Sequence, residues 1–530
     1  MEFLLHKGMD VTAELFPDKP VMRYLDTQLT YSELSQRSNQ LANFLEERGS
    51  QRRDRLGIFL NKSLETSIAV YGIMKSGGAF IPLDPQSPKS RLLDIIRKTG
   101  MKCVISQPDK KKILAQVAEE ESPLEYVIGI DTDDDIGVPT YSWDDVAQFP
   151  DNTMPDLHLI QDDLAYILFT SGSTGAPKGM MHTHATGMSY VHMSTDLYDV
   201  RPDDVLGNHS PLHFDMSTFE YLTGPNIGTT TIVVPESYTL FPANLTQLMQ
   251  DERMTFWYSV PFALIQIVLR GVLEKRDLSS FRWIMYGGEP FPPNYLAELM
   301  KHLPNAQISN VYGPAETNQV SYYTIPDPDT WVDPEANMPI GTFVPNLEGL
   351  VLDDDDSIVE DGEVGELVVR TPRMTKGYWG RPDLNARVFF RREIMPDFEE
   401  VYYRTGDLVK LRDDGLYDFL GRKDHQVKVR GYRVELLEVE NAMASHDAVE
   451  EGAAYALKND DGSDYIEVAV IVAKEATLTV DELIAHMNDR LPHYAVPSKV
   501  KFMDSFPRTG SDKVDRRGLQ AMAMEEKNNS

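Results

Sequence analysis

The sequence predicts an α/β protein with a large, multi-subdomain N-terminal domain and a small α+β C-terminal domain. Over roughly the first 340 residues, short apolar runs alternate with amphipathic helical patterns, which is typical of layered α/β sheets with largely parallel strands. After about residue 424, two helical patterns are interleaved with short strand patterns. We therefore place the N-terminal domain at residues 1–423 and the C-terminal domain at residues 424–530.

The predicted strands of the N-terminal domain are apolar runs bounded by turn residues. They are DRLGIFL, GAFIPLD, KCVIS, YVIGI and LAYILFT. Between them, TYSELSQRSNQLANFLEERG and KSLETSIAVYGIMKSGG carry apolar residues at helical spacing and end at glycine. From about residue 341 to 420 the pattern changes to short β segments with Asp/Gly turns, which predicts a small, barrel-like β subdomain.

The C-terminal domain is predicted element by element. QVKVRGYRVE forms a strand or hairpin, and LLEVENAMASH has its apolar residues on one helical face. EEGAAYALK and DYIEVAVIVAK are strands. A second helix begins where Thr479 and Glu482 have capping-box spacing, and SKVKFMD is the last strand.

Composition and charge exclude several classes of protein. The formal net charge of −32 argues against nucleic acid or an anionic membrane as the main partner. Cys103 is the only cysteine, so an intramolecular disulfide is excluded and a reducing cytoplasm is favoured. The N-terminus lacks a signal-peptide pattern, and no apolar run approaches the roughly 20 residues that a membrane-spanning helix needs. We expect a cytoplasmic enzyme.

A loop rich in glycine and hydroxyl residues follows the predicted strand LAYILFT. Glycines allow close backbone approach, hydroxyls donate to phosphate oxygens, and a lysine adds positive charge. The loop differs from a Walker motif because its lysine lies between proline and glycine. Its candidate phosphate-binding residues are Thr170, Ser171, Gly172, Ser173, Thr174 and Lys178. A plain Gly/Ser surface loop is the alternative.

Four further motifs suit nucleotide chemistry. NVYGPAETN (310–318) combines an aromatic residue, a tight turn and a carboxylate, and YRTGDL (403–408) places an acid after a glycine turn. GRKDHQVKVRGYRVELLEVE (421–440) is rich in cations, and FPRTGSDKVDRRGL contains Lys513 on a turn. Each motif alone is weak evidence.

In this order, the motifs resemble those of the adenylate-forming superfamily of acyl- and aryl-CoA ligases, luciferases and nonribosomal peptide synthetase adenylation domains. LTYSEL, GIMKSGGAFIPLDP and GELVVRTPRMTKGYWGRPD extend the resemblance over nearly the whole chain. Within the superfamily, the chain resembles free-standing amino-acid adenylation enzymes, including proline-activating ones.

The resemblance implies an ATP site with a role for each matching residue. Tyr312 would stack on adenine, Asn310 would bind its edge, and Asp407 would hold the ribose hydroxyls with Arg422. Glu316 would hold Mg²⁺, and ATP and Mg²⁺ are the implied cofactors. The remaining implied nucleotide contacts are Gly287, Gly288, Glu289, Val311, Gly313, Ala315 and Thr317.

The implied reaction has two steps. A substrate carboxylate attacks the α-phosphorus of ATP, and because both reactants are anionic, Lys513 and Mg²⁺ would stabilise the developing charge. The nucleophile is already ionised at neutral pH, so no general base is needed. In the family, the mobile C-terminal domain then turns about a hinge, here Asp424, which replaces Lys513 by Lys428 and Gly431.

Asp215, in PLHFDMSTFE, matches the aspartate that binds the substrate ammonium in amino-acid-activating members. A fatty acyl substrate would leave this carboxylate unpaired, at a cost of several kcal/mol. The other residues that match the specificity pocket are Met216, Phe219, Tyr258 (or Ser259), Met285, Gly287, Val311, Gln319 and Val320. Because this lining is nearly all apolar, we expect a neutral, medium-sized amino acid. L-Proline is favoured, and branched aliphatic and β-amino acids remain open.

The resemblance also implies a partner. After Lys513 only VDRRGLQAMAMEEKNNS follows, so we expect the enzyme to load the phosphopantetheine thiol of a separate carrier protein in a natural-product pathway. An acyl-CoA ligase and a non-catalytic nucleotide-binding relic are the alternatives. Two departures from the family pattern concern the site: Asp512 precedes Lys513 where glycine is common, and Ala315 replaces a frequent threonine.

Overall fold

The computed structural model describes residues 2–131, 135–172, 177–334, 336–424, 426–459, 463–508 and 514–528. The chain forms two compact units, which are described separately below. Unit 1 consists of Met1–Pro85, Ile96–Phe169 and Gly179–Lys423. Unit 2 consists of Gln86–Ile95, Thr170–Lys178 and Asp424–Ser530.

The helices and strands before residue 200 are as follows. The helices are α1 (Leu5–Leu15), α2 (Tyr31–Glu47), α3 (Leu64–Lys75), α4 (Lys89–Thr99), α5 (Lys111–Ala118), α6 (Trp143–Val146) and α7 (His184–Tyr198). The strands are β1 (Pro20–Tyr24), β2 (Thr27–Thr30), β3 (Arg55–Ile58), β4 (Ala79–Pro82), β5 (Cys103–Ile105), β6 (Tyr126–Ile128), β7 (Thr140–Tyr141), β8 (Leu164–Thr170) and β9 (Lys178–Thr183).

The next elements extend to residue 343. The helices are α8 (Gly224–Ile227), α9 (Glu236–Leu240), α10 (Pro242–Asp251), α11 (Pro261–Arg270) and α12 (Pro293–Lys301). The strands are β10 (Val205–Asn208), β11 (Thr230–Val233), β12 (Phe256–Ser259), β13 (Trp283–Gly287), β14 (Gln307–Tyr312), β15 (Ser321–Thr324) and β16 (Thr342–Phe343). A π-helical turn, Phe219–Thr223, precedes α8.

The remaining elements complete the described chain. The helices are α13 (Pro382–Val388), α14 (Leu436–Ala444), α15 (Val480–Asn488) and α16 (Arg516–Asn528). The strands are β17 (Glu348–Leu352), β18 (Val364–Arg370), β19 (Phe389–Met395), β20 (Phe398–Leu411), β21 (Tyr417–Arg422), β22 (Gln426–Val429), β23 (Tyr432–Glu435), β24 (Val449–Lys458), β25 (Asp464–Val472) and β26 (Lys499–Phe502).

Two large sheets carry the α/β architecture. One has seven strands in the order β7-β6-β5-β3-β4-β8-β9, and the other has nine in the order β16-β15-β14-β13-β12-β10-β11-β1-β2. In the nine-stranded sheet, neighbours from β14 to β1 are parallel, whereas β2, β15 and β16 are antiparallel. The predicted α/β class with largely parallel strands is confirmed.

A third sheet of unit 1 covers the region predicted as the β subdomain. Its strands run antiparallel in the order β17-β18-β20-β19, and β21 also pairs with β20. The long strand β20 joins three neighbours. Asp407 lies on this strand, opposite Arg422 of β21.

The α+β character predicted for the C-terminal region is also confirmed. β22 and β23 form a hairpin, and β24, β25 and β26 form a three-stranded sheet. The Thr479 side chain accepts from the Glu482 N–H and the Glu482 carboxylate accepts from the Thr479 N–H, which is the predicted capping box of α15. Val439, Met443, Leu483 and Met487 pack with β-strand residues in one buried cluster.

Helix α3 illustrates how the core of unit 1 accommodates charge. Ten of its 12 residues are buried, so it lacks a polar face. Lys75 at its C-terminal end is fully buried, and its ammonium pairs with Asp10 at 2.6 Å and donates to Asn39 at 2.8 Å. Burial lowers the pKa of Lys75. These partners offset the cost of removing the charge from water.

Cys103 is buried in β5, and burial raises the pKa of its thiol well above the ordinary value.

In the described part of the chain, none of the helices combines the length and apolarity that a membrane crossing requires.

Glu220 in the π-helical turn is a buried acid, and one of its carboxyl oxygens has no partner among the described residues. Burial raises its pKa from 4.5 to about 8, although Asn208 and Lys62 act in the opposite direction. Since the folded pKa lies above the unfolded value, the folded chain holds a proton that the unfolded chain releases. Stability therefore falls as pH rises through this interval.

We predict that Glu220→Gln stabilises the protein by a margin that widens between about pH 5 and about pH 8. The expected slope is up to about 1.4 kcal/mol per pH unit. Urea unfolding followed by circular dichroism measures it. Glu119→Gln, at an exposed position, is the control and should show a constant margin. A constant margin for Glu220→Gln would contradict the prediction.

Candidate active site

The predicted adenine wall lies where two parallel strands of unit 1 end side by side. β13 ends at Gly287 and pairs there with Val311 of β14. A Cβ atom at Gly287 would lie 2.4 Å from the Val311 carbonyl oxygen, so only glycine allows this approach. The carboxyl ends of parallel strands are the usual place for ligands in α/β sheets.

Tyr312, Asp407 and Arg422 form one hydrogen-bonded cluster at this edge. The Tyr312 hydroxyl donates to Asp407 Oδ2, and Arg422 donates to Asp407 Oδ1 at 2.6 Å. Asp407 is buried, and its backbone N–H donates to the Thr405 hydroxyl at 3.0 Å. Burial, followed by the Asp407 charge, raises the pKa of Tyr312 well above its ordinary value. The predicted adenine-stacking and ribose-binding residues are therefore in direct contact.

Asn310 directly precedes Val311 in the chain and is buried. Its side-chain amide donates to the Pro339 carbonyl at 2.8 Å. The amide oxygen is thus oriented as an acceptor. An acceptor suits the exocyclic amino group of adenine, which is a donor.

The other predicted nucleotide contacts lie in the turns after β13 and β14. Gly288 is exposed with φ +93°, and Glu289 is half-buried. At Gly313 a Cβ would lie 1.8 Å from the Asn318 carbonyl oxygen, which makes glycine necessary there. Thr317 is buried and donates to the Pro314 carbonyl, and Ala315 is half-buried.

Glu316, the predicted magnesium ligand, is fully buried. Its Oε1 accepts from the Tyr378 hydroxyl at 2.6 Å, and its backbone carbonyl accepts from Thr375 N–H at 2.6 Å. His182 lies nearby and stacks on Tyr166; burial lowers the pKa of His182 to about 4, opposed by the Glu316 charge. At neutral pH this histidine is therefore neutral.

Within the described ranges, no group of three or more His, Cys, Asp or Glu side chains could hold a metal ion. Mg²⁺ commonly binds through one or two carboxylates together with waters and substrate phosphates. A single buried carboxylate such as Glu316 fits this kind of binding, in which the nucleotide phosphates and waters supply the other ligands. It does not fit a site in which the protein supplies all the metal ligands.

Asp215 begins a short 3₁₀ turn that leads into the π-helical turn Phe219–Thr223. Its side chain is half-buried, and the Thr218 hydroxyl donates to its carbonyl at 2.6 Å. Burial and the Asp215 charge both raise the pKa of Tyr166 and Tyr258. The carboxylate is therefore close to an aromatic, largely apolar environment.

Most predicted specificity residues pack together next to Asp215. Met216, Phe219, Tyr258, Met285 and Val311 belong to one apolar cluster. Tyr258 and Met285 are partners across the β12–β13 ladder. Because neighbouring strand residues point to opposite faces, Ser259 faces away and accepts from the Trp257 indole at 2.8 Å.

Two predicted pocket residues lie slightly apart from that cluster. Val320 is buried with residues of the β subdomain, including Leu367 and Val409. Gln319 is buried, and its amide donates to the Tyr198 hydroxyl at 2.7 Å. Gln319 thus adds a polar group that is already engaged with protein.

In unit 2, residues of the predicted phosphate loop contact the β22–β23 hairpin. Lys178 pairs with Glu435 at 3.1 Å, and both side chains are buried. Gln426 donates to the same Glu435 oxygen at 2.8 Å, and the Ser171 hydroxyl donates to the Arg433 carbonyl at 2.7 Å. Lys178 therefore already has an anionic partner that a phosphate would have to replace.

Thr170 and Gly172 flank Ser171 at the start of the loop. The Thr170 hydroxyl oxygen is buried without a hydrogen-bond partner in the part of the chain that the structure describes. Ser173, Thr174 and Lys513 lie outside the described residues. Lys428 lies in β22 opposite Arg433, and Asp424, the predicted hinge residue, is the first residue of the last segment of unit 2.

The sequence analysis assigned no role to Tyr378, Tyr403 or Thr405, although the structure connects all three to predicted site residues. Tyr378 and Tyr403 hydroxyls are 3.2 Å apart. The signal was present, since both tyrosines lie in motifs quoted above, GYWGRPD and YRTGDL. The motifs do not show which of these side chains contact one another, because residues 316, 378 and 403 are far apart in the chain.

The strand edge at Gly287 and Val311, the buried Glu316 carboxylate and the Asp215 carboxylate beside an apolar cluster are compatible with a nucleotide-binding site. Residues 9–379 match the family model described as AMP-binding enzyme, and residues 438–513 match the AMP-binding enzyme C-terminal domain. The chain belongs to the AMP-binding enzyme family of AMP-forming ligases. The resemblance found in the sequence is confirmed.

Individual relatives agree with this assignment. The L-proline--[L-prolyl-carrier protein] ligase of Pseudomonas fluorescens is 32% identical over 97% of this chain and 98% of that protein. Bacitracin synthase 3 of Bacillus licheniformis is 34% identical over 96% of this chain, but the chain spans only 8% of that protein.

A solved structure supports the fold. The Vibrio cholerae adenylation domain AlmE, in complex with glycyl-adenosine-5'-phosphate, gives a TM-score of 0.85 at 21% identity. The match covers 99% of this chain and 98% of that one. At this identity the likeness establishes the architecture alone.

We predict that Gly287→Ala separates β13 from β14 and destabilises unit 1 by about 1–3 kcal/mol. The added carbon meets a backbone carbonyl, which can move only with its strand. Gly57→Ala is the control, because there the nearest atom, at 2.6 Å, is the flexible Met101 sulfur. Urea unfolding measures the free energy of unfolding of both variants. A decrease for Gly287→Ala that is no larger than the decrease for Gly57→Ala would contradict the prediction.

Proposed function

We propose that this protein is a stand-alone amino-acid adenylation enzyme. It activates a neutral, medium-sized amino acid with ATP and Mg²⁺ to the aminoacyl adenylate and pyrophosphate. It then transfers the aminoacyl group to the phosphopantetheine thiol of a separate carrier protein. L-Proline is the favoured substrate.

The observation that carries the proposal is the Asp215 carboxylate beside the apolar cluster of Met216, Phe219 and Met285. A half-buried carboxylate next to apolar side chains suits a cationic group of a ligand. The ammonium of an amino acid supplies that charge, whereas a fatty acid does not. This argument favours amino-acid activation over the acyl-CoA ligase reaction.

Electrostatics governs the adenylation step. The amino-acid carboxylate attacks the α-phosphorus, the bond to the pyrophosphate oxygen breaks, and pyrophosphate leaves with the bonding electrons. Mg²⁺, when bound, neutralises phosphate charge. Glu316 would hold the metal, Lys178 and Thr170 would bind phosphate oxygens, and Lys513 would contact the reacting carboxylate.

Asp407 and Arg422 suit the ribose end of ATP. The two Asp407 oxygens already accept hydrogen bonds from Tyr312 and Arg422, so the carboxylate is fixed in orientation. A ribose diol can exchange with the Tyr312 hydroxyl at Asp407, while Arg422 stays hydrogen-bonded to the other carboxylate oxygen. Asn310 then accepts from the adenine amino group.

The choice of proline rests on two arguments. The apolar lining offers no charge for an acidic or basic side chain. One relative of matching length is named for L-proline and an L-prolyl-carrier protein. A secondary ammonium retains two N–H donors for Asp215, so proline satisfies the same contact. Branched aliphatic and β-amino acids are the remaining candidates for this pocket.

Amino-acid-dependent exchange of labelled pyrophosphate into ATP tests the proposal. We expect exchange with L-proline above other members of a panel of amino acids and simple carboxylic acids. Exchange only with fatty or aryl acids would establish the acyl-CoA ligase alternative. No exchange with any acid would favour a non-catalytic nucleotide-binding protein.

We predict that Asp215→Ala lowers amino-acid affinity at least tenfold and leaves ATP affinity within about twofold. A tenfold change corresponds to about 1.4 kcal/mol, a modest value for a charge-assisted hydrogen bond. Isothermal titration calorimetry measures both ligands. Asp196→Ala, at an exposed position of α7, is the control. Equal losses for both ligands would show a general structural defect.

We also predict that Lys513→Ala and Lys428→Ala affect different steps. Lys513→Ala should abolish most ATP–pyrophosphate exchange, because it removes a cation aimed at the reacting groups. Lys428→Ala should retain exchange and reduce transfer of the aminoacyl group to the carrier thiol. Mass spectrometry of the loaded carrier protein measures this transfer. Retained exchange in Lys513→Ala would refute the role assigned to that lysine.

A further inference from the structure

The Glu316 carboxylate accepts a short hydrogen bond from a tyrosine hydroxyl in the interior of unit 1. Tyr378 donates to Glu316 Oε1 at 2.6 Å, and both side chains are buried, with 2% and 0% exposure. A buried carboxylate needs strong donors, because it has lost its hydration. A hydroxyl that makes a short O–H···O⁻ contact is among the strongest neutral donors that a protein provides.

The same short segment also holds the Glu316 backbone. Thr375 N–H donates to the Glu316 carbonyl at 2.6 Å, three residues before Tyr378. Glu316 is therefore fixed at both its backbone and its side chain by residues 375–378. The side chain has little freedom to leave this orientation.

Tyr378 is itself held firmly. Its N–H donates to the Asn385 amide oxygen at 2.7 Å, and it forms a bridge with Met180 of β9. Gly377, just before it, adopts φ +113°, and a Cβ there would lie 2.9 Å from the Asn385 amide oxygen. A backbone conformation reserved for glycine thus places the tyrosine.

Backbone hydrogen bonds between this segment and β9 complete the arrangement. Lys376 N–H donates to the Met181 carbonyl at 2.8 Å, and Trp379 N–H donates to the Gly179 carbonyl at 2.8 Å. Gly179 directly follows Lys178, the lysine of the phosphate loop. The segment that orients Glu316 is therefore hydrogen-bonded to the strand that follows that loop.

We propose that Tyr378 is a positioning residue that orients the Glu316 carboxylate for the magnesium ion of Mg-ATP. The inference rests on the proposed function, in which Glu316 holds the metal. The hydrogen bond from the hydroxyl fixes the rotamer of the Glu316 carboxyl group, so Glu316 would meet the ion without reorganising. Partners of metal ligands act in this way in metalloproteins.

Tyr378→Phe tests the proposal because it removes one oxygen and retains the ring. With Mn²⁺ as the probe and a non-hydrolysable ATP analogue present, electron paramagnetic resonance reports metal binding directly. We expect the Mn²⁺ dissociation constant to rise about 10–100-fold. The Mg²⁺ concentration for half-maximal exchange should rise equally, and exchange at saturating Mg²⁺ should approach the wild-type rate.

Tyr402→Phe is the matched control. Tyr402 is equally buried on β20, but its hydroxyl donates to Glu400 at 2.9 Å. Loss of the Tyr402 hydroxyl should leave the Mn²⁺ dissociation constant within about twofold of the wild-type value. Thermal unfolding shows whether either variant is misfolded. Tyr378→Phe in a Glu316→Gln background should have no further effect on metal binding, because the two changes remove the same contact.

The outcomes separate the two levels of inference. Wild-type Mn²⁺ affinity in Tyr378→Phe would overturn the positioning role, and so would a loss of exchange that saturating Mg²⁺ does not restore. An additive loss in the Glu316→Gln background would overturn it as well. Wild-type protein that neither binds the metal–nucleotide pair nor exchanges pyrophosphate would overturn the proposed function itself.

Discussion

The need to neutralise buried charge governs the interior of this protein. The chain has a net charge of −32, and a carboxylate that is buried loses its hydration, so each buried carboxylate near the candidate site requires its own donor. Asp407 has Arg422 and Tyr312, and Glu316 has Tyr378. Arg422 lies on the strand next to Asp407, whereas Tyr312 and Tyr378 are 95 and 62 residues from the carboxylates they contact, so these two contacts connect separate parts of unit 1.

Where a buried ionisable group lacks hydrogen-bond partners for some of its atoms, burial shifts its pKa toward the neutral form. Glu220 has a buried oxygen without a partner among the described residues, and burial raises its pKa to about 8. Arg373 is buried with two unpartnered nitrogens in the described structure, and burial lowers its pKa to about 10. Glu220 neutralises near physiological pH, whereas the guanidinium stays charged and carries its desolvation cost.

Much of the fold follows from local sequence patterns. Apolar runs such as KCVIS predict β5, and the spacing of Thr479 and Glu482 predicts the start of α15. The candidate site is less accessible to such reasoning. The motifs identify Tyr312, Glu316 and Asp407, but no motif states that the Tyr312 hydroxyl meets Asp407. That contact depends on how β14 and β20 are brought together.

By itself, the sequence determined the class of protein, the alternation of helices and strands, and the residue types available for nucleotide chemistry. These features are local, since they depend on periodicity, turn chemistry and short ordered motifs. Only the tertiary structure decided which buried groups are partners: Tyr378 with Glu316, Lys178 with Glu435, and Gly287 against the Val311 carbonyl. Such pairings join residues far apart in the chain, and packing geometry rather than local preference selects them.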